Sequence, residues 1–357
     1  MIRIAFGPMV HLPSTEWVGR DVAEYIKATQ DEVNVDFFDN FEKILDVDVI
    51  FIIKLMPSFK WLLRIKLKGI RVIYTPVDYF HHPALFEKEK AKLELFDFIL
   101  LHNQRLLSFF PSSVKNVEFI DHYLKYQLPT TKKFEDDGFL LWVGHIEYIP
   151  SLLKALPKHS LGYPLRVLTD LENLWGETNL LKNKLLEAGL PFSLELCENH
   201  MVLNGIKLEQ WTAKKQEKYM LTCKAAFDTK NDSFAHNLKP PTKAQKYIFN
   251  GIPFAISEHS YAYDYFLHRG LKLATLETPK RWLSIDYFNE VNDFKNKYAH
   301  TQTLDYVSKQ YLTVAKNALK MLPQRRLSIF RQIYLAVLVC KSNAFYTVRR
   351  VVEKINK

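Results

Sequence analysis

The chain has 357 residues, of which 48% are hydrophobic, and a formal charge of +10. At roughly 100–200 residues per domain this length predicts two domains, and the apolar content excludes a disordered chain. A pI near 9.2 predicts attraction to anions, and nucleic acid, an anionic membrane surface and a phosphorylated small molecule all satisfy it.

Short apolar runs alternate with amphipathic stretches from the first residue. Ile2–Phe6 reads as a strand, and Ser14 or Thr15 can cap a helix running to about Lys27. Val33–Phe38 and Val47–Ile53 read as strands, Ser58–Lys68 as a basic helix stopped by Gly69, and Arg71–Thr75 as the next strand. Phe96–Leu101 and Val117–Ile120 complete a first set. Pro129–Gly138 is polar and apolar-poor and reads as a linker, after which the pattern restarts. Strands are predicted at Phe139–Val143, Leu165–Leu168, Phe192–Leu196, Lys224–Phe227 and Ile252–Ile256. Helices are predicted after Pro150 and at Leu180–Ala188, Leu208–Leu221 and Pro241–Asn250, with a basic helical end from about Leu304. Strands alternating with helices imply parallel sheets covered on both faces. The expectation is α/β: two Rossmann-like, doubly wound parallel-sheet domains facing a cleft, over 1–130 and 131–325, with a helical segment 326–357 packing back on the first.

Open parallel sheets bind ligands beyond the carboxyl ends of their strands. That rule selects Gly7–Ser14, Thr75–Pro83, His102–Arg105, Asp121–Tyr123, Gly144–Pro150, Asp228–Lys243 and Ser257–Tyr263. In Lys239-Pro240-Pro241-Thr242-Lys243-Ala244-Gln245-Lys246 two prolines fix a helix entry, and Lys243 and Lys246 lie on a similar side. Positive charge at a helix start is disfavoured by about 0.3–1 kcal/mol per charge, and a bound anion would reverse that sign. The alternative is a solvated basic face.

Lys239-Pro-Pro-Thr-Lys243 followed by Asn250-Gly251-Ile-Pro253-Phe-Ala-Ile resembles the donor-site segment of GT-B type glycosyltransferases. Trp142-Val143-Gly144-His145 is similar to the opening strand and glycine turn of their C-terminal domain, and Asp121-His122 to a histidine-containing turn before their linker. The resemblance implies a sugar moved from a nucleotide-diphospho-sugar to a hydroxyl acceptor, saccharide or lipid-linked, in surface polysaccharide or glycolipid synthesis. It implies donor contacts at Gly144, His145, Lys239, Thr242, Lys243 and Lys246, with Glu258 near the ribose. Many retaining members carry two glutamates here, eight positions apart. Lys246 occupies the place of the second and the first falls near Leu238 or Lys239, so retaining or inverting chemistry stays open.

Asp78, His82 and His11 follow strand ends and are candidates for deprotonating the acceptor, with ordinary loop roles as the alternative. His81 and His82 point apart and lack a third ligand, so no metal is expected, and no other cofactor beyond the donor substrate. With 11 glycines the chain has no GxGxxG and no Walker A loop, which leaves phosphate to basic side chains and helix starts. Three dispersed cysteines, Cys197, Cys223 and Cys340, read as reduced thiols, and the first residues lack a long apolar leader; both predict a cytoplasmic protein. Ile333–Cys340 is too short for a span of ~20 residues. The basic helix Lys60–Lys68 and the segment from Arg325-Arg326 to Arg349-Arg350 fit either peripheral contact with an anionic inner membrane face or sheet-covering helices with lysine faces. Dispersed Lys and Arg without a standard motif argue against nucleic acid. An epimerase on the same architecture and a non-catalytic nucleotide-binding protein are the remaining alternatives.

Overall fold

The computed structural model describes residues 1–43, 45–156, 162–171, 174–229, 233–321 and 329–355. Asn231-Asp232, Arg325-Arg326 and the expected boundary at 325–326 lie outside the described residues. The chain divides into two units: Met1–Tyr123 with Leu238–Pro240 and His300–Lys357, and Leu124–Asn237 with Pro241–Ala299.

The first unit begins with β1 (Ile2–Gly7), a π-helical turn (Thr15–Arg20), α1 (Asp21–Thr29), β2 (Val33–Phe37) and β3 (Val49–Ile53). It continues with α2 (Phe59–Leu67), β4 (Arg71–Thr75), α3 (Ala84–Leu93), β5 (Phe98–Leu101) and β6 (Val117–Phe119). The strands pair in the order β2-β1-β3-β4-β5-β6, all parallel. Strands β3 and β4 are buried throughout, as strands covered on both faces must be. Alternate residues split between those faces: Ile4, Phe6, Val49, Phe51 and Ile53 join one cluster with Val22 and Ile26 of α1. Ser58 caps α2 by accepting from the Trp61 N–H at 3.2 Å, and Trp61, Leu62 and Ile65 are buried. Lys66 is buried as well. Its ammonium bonds both oxygens of Asp97 at 2.7 Å, so the basic helix covers the sheet and its apolar side is committed to the core.

The second unit contains β7 (Phe139–Val143), α4 (Ile149–Ala155), β8 (Leu165–Thr169), α5 (Leu174–Glu187), β9 (Leu194–Leu196), β10 (His200–Leu203) and β11 (Ile206–Gln210). It goes on with α6 (Ala213–Thr222), β12 (Cys223–Phe227), α7 (Phe234–Asn237), α8 (Thr242–Ile248) and β13 (Phe254–Ala255). The helices α9 (Tyr261–Leu267), α10 (Pro279–Trp282) and α11 (Ile285–Tyr298) close it. Strand order is β13-β12-β7-β8-β11-β10-β9. The predicted helix Leu208–Leu221 is instead strand β11 followed by α6, which Thr212 caps through the Lys215 N–H. The reason is a hairpin: Asn204 and Gly205 both have positive φ, 49° and 80°, the geometry a two-residue turn between antiparallel strands requires. The sheet is therefore parallel only from β13 to β11, with β10 and β9 antiparallel at its edge.

The chain then returns to the first unit with α12 (Leu304–Lys320) and α13 (Ile329–Ile355). Val307, Tyr311, Leu312, Val314, Ala315 and Ala318 of α12 recur at helical spacing and join the core of β1, β2 and β3. The Tyr311 ring lies 5.6 Å from that of Phe51. Among the described residues no helix is long and apolar enough to cross a membrane.

Candidate functional site

In the second sheet the strand order reverses between β7 and β12, the topological switch point where parallel sheets bind ligands. Gly144 follows β7 and Asp228 follows β12. Lys243, from the first turn of α8, reaches both ends: its ammonium donates to the Val143 carbonyl at 2.9 Å and to Asp228 Oδ1 at 2.7 Å. It also lies 5.5 Å above the Trp142 ring. Asp228 is buried, and its own N–H donates to the Ala255 carbonyl of β13. The positive charge at the start of this short helix is thus met by an internal carboxylate, an arrangement beyond the bound anion and the solvated basic face that the sequence offered.

Lys246, one turn further, is partly buried and donates to Gln216 Oε1 at 3.0 Å. Burial, and next the neighbouring Lys243 charge, push its amine down to about 7, against Asp228, which raises it. Gln216 Oε1 also accepts from Trp211 Nε1 at 3.0 Å. Gln216 also lines a cavity of about 320 Å³, together with Lys125, Tyr126 and Met220 among others. Gly144 allows Trp142 to fold back over the turn: a Cβ there would stand 2.4 Å from the indole ring. His145 is half exposed. Its Nε2 meets Asp170 Oδ2 at 2.8 Å and its Nδ1 accepts from the Glu147 N–H at 3.4 Å, which assigns the proton to Nε2. Asp170 is held in turn by the Ile146 N–H at 2.9 Å. Thr242 opens α8. Glu258 is exposed and accepts from the Tyr263 hydroxyl at 3.3 Å, while Ser260 caps α9. Gly251, at φ +75°, has Asn292 Oδ1 2.5 Å from where a Cβ would be, so both conformation and space require glycine.

Solved structures share this architecture. A glycosyltransferase from Rickettsia africae ESF-5 superposes with a TM-score of 0.55 at 11% identity, covering 90% of this chain and 99% of that one. AviGT4, a glycosyltransferase involved in avilamycin A biosynthesis, gives 0.54 at 9% identity with the same coverage of both chains. The fold is that of GT-B type glycosyltransferases. No protein-family model and no curated protein matches the chain.

Within the first unit of this GT-B fold the switch point lies between β1 and β3. His11 is exposed on the loop after β1. Asp78, after β4, pairs with Lys54, after β3, at 2.8 Å. Lys54 and Val77 have φ of 61° and 54°, a region that is strained for a residue with a side chain and most of all for β-branched valine. His82 Nδ1 accepts from the Ala84 N–H at 3.1 Å, at the start of α3. Lys239 belongs by packing to this unit, where its carbonyl accepts from Asn103 Nδ2 at 3.3 Å. His102 and His122 stack edge to face at 4.1 Å, both buried, at the ends of β5 and β6. Burial pushes His102 down to about 4 and His122 well below the ordinary imidazole value.

Sequence reasoning did not single out Asp170, Gln216 or Lys54. The carboxyl-edge rule reaches two of them, because Asp170 directly follows β8 and Lys54 directly follows β3. Gln216 has no signal of its own. Among the described residues no group of three or more His, Cys, Asp and Glu side chains stands close enough to hold a metal ion.

Proposed function

We propose that the protein transfers a sugar from a nucleotide-diphospho-sugar to a hydroxyl acceptor, and that the second unit binds the donor. The observation that carries this reading is Lys243, fixed across the carboxyl ends of β7 and β12 at the switch point, with Lys246 one helical turn away. A diphosphate arriving there supplies the anion that favours the charged form of Lys246, so binding draws in a proton and adds a cation where the leaving group's charge develops. The acceptor oxygen bonds to the anomeric carbon, the carbon–oxygen bond to the diphosphate breaks, and the diphosphate leaves with the electron pair. The hydroxyl proton passes to a base. Asp78, His82 and His11, all on carboxyl-edge loops of the first unit, are the candidates for that role. His145, oriented by Asp170, and Glu258 are candidate donor contacts, as are Gly144 and Thr242, whereas Lys239 packs with the first unit. The reading places charge stabilisation on lysines and calls for no metal or further cofactor. The fold of the solved glycosyltransferases supports it.

Calorimetry with uridine and guanosine diphosphates, run in buffers of different ionisation heat near pH 8, tests the proposal. Binding with net proton uptake is expected, and Lys246→Met should weaken it roughly 10- to 100-fold, the worth of one charge-assisted hydrogen bond. If no nucleoside diphosphate binds at millimolar concentration, the reading is wrong.

A further inference from the structure

Helix α13 has two apolar faces, and the fold uses one. Leu335 and Ser342 are buried where the helix packs along α3, and Lys88 of α3 stands 4.8 Å over the Tyr346 ring. On the other side Phe330, Ile333, Tyr334, Val337, Phe345 and Val348 are exposed, Phe330 at 85% and Val348 at 63%. At 100° per residue these six fall within an arc of about 120°, roughly opposite the face packed on α3. A helix of 27 residues is about 40 Å long, so the stripe extends over most of a surface that soluble helices normally make polar. Charge distinguishes the helix further. Between positions 329 and 357 the sequence carries six Lys and Arg residues and one acidic residue, Glu353, so this segment holds half of the chain's excess of +10.

We infer that α13 lies on an anionic lipid surface, with the Phe330–Val348 stripe in the headgroup and acyl boundary and the segment's net positive charge drawing it there. An apolar stripe and net positive charge together are what an interfacial helix needs, since neither a few buried side chains nor a basic patch binds firmly alone. Lys341 lies within the stripe, and a lysine there can extend its ammonium from a shallow position back to the headgroups. A second copy of the chain is a poorer occupant, because pairing through this face brings two strongly cationic helices together. Helix α2 is basic too, but its Trp61, Leu62 and Ile65 are in the core and Lys66 is held by Asp97, so of these two basic helices α13 has the apolar face left over.

Flotation of the full chain with phosphatidylcholine vesicles containing about 30% phosphatidylglycerol tests this, with pure phosphatidylcholine as the comparison. The protein should float with the anionic vesicles at low salt and be released as salt rises. The F330S/F345S double variant should partition roughly tenfold less well, and Lys341→Glu should also weaken partition. A polarity-sensitive fluorophore on exposed Cys340, in a Cys197→Ser chain, should shift to the blue on the same vesicles. That label decides the matter should the double variant fold poorly. Absence of flotation at low salt, or partition unchanged in the folded double variant, overturns the inference. So does a concentration-dependent dimer that the two serines abolish, which would assign the face to a second copy.

Discussion

Replacing Lys246 with methionine should stabilise the protein. The amine, at 10.5 in a free chain, is pushed down to about 7 in the fold. Between about pH 6 and 8, folding must therefore either strip a proton from this lysine or hold a poorly solvated charge, at a penalty on the order of 3–5 kcal/mol. Methionine matches the length, removes the penalty and gives up one hydrogen bond to Gln216, worth about 1 kcal/mol. Gln216 Oε1 keeps its bond from Trp211, so no buried acceptor is left bare. The expected gain is about 2 kcal/mol or more, read from urea midpoints. The sign of its pH dependence is fixed. Because the folded value lies below the unfolded one, the unfolded chain binds more protons between 7 and 10.5, and wild-type stability climbs with pH through that window relative to the variant. The advantage of Lys246→Met should be largest below pH 7 and shrink by about 1.4 kcal/mol per pH unit above it. Hydrogen exchange at the Tyr247 and Ile248 amides localises the effect to α8. A variant that is less stable at every pH, or an advantage that does not change with pH, would refute the account of a strained lysine.

Lys243→Met should cost about 3 kcal/mol, because it takes a cation away from the buried Asp228 carboxylate, and adding Asp228→Asn should recover more than half of that loss. Gly144→Ala should lower the unfolding free energy by about 2 kcal/mol or more, since the new methyl meets the Trp142 ring, and tryptophan fluorescence should report the displaced indole. The first unit should lose stability as pH falls from about 6.5 towards 4, the window in which an unfolded His102 takes a proton that the folded one refuses. His102→Asn, which keeps a donor for the Ile120 carbonyl, should flatten that acid limb, and an unchanged limb would clear the histidine.

The alternation of apolar runs made both sheets legible, because buried parallel strands are short, continuous and apolar, as Val49–Ile53 and Phe139–Val143 are. The hairpin at Asn204-Gly205 was hidden by reading Leu208–Leu221 as one helix. Leu208 is a strand residue, and the helix starts only after its cap, Thr212. At the site, the rule that ligands sit at carboxyl edges found Gly144, Asp228 and Lys243. It could not show that Asp228 would neutralise Lys243, since that pairing joins residues 15 apart through the sheet edge rather than along a helix. Periodicity likewise says that α13 is amphipathic but not which of its two apolar faces meets α3.

The sharing of the first core between distant parts of the chain has a consequence for biosynthesis. A ribosome releases β1 to β6 long before it releases α12, yet Phe51, Val49 and Ile4 share a cluster with Tyr311 and Ala315. The second unit, nearly continuous from Leu124 to Ala299, can close its own core in the interval. The first sheet, which emerges before the whole second unit, is therefore sealed from water after it. During that delay the nascent first sheet presents an uncovered aliphatic face, the circumstance in which chaperones bind and unguarded chains aggregate.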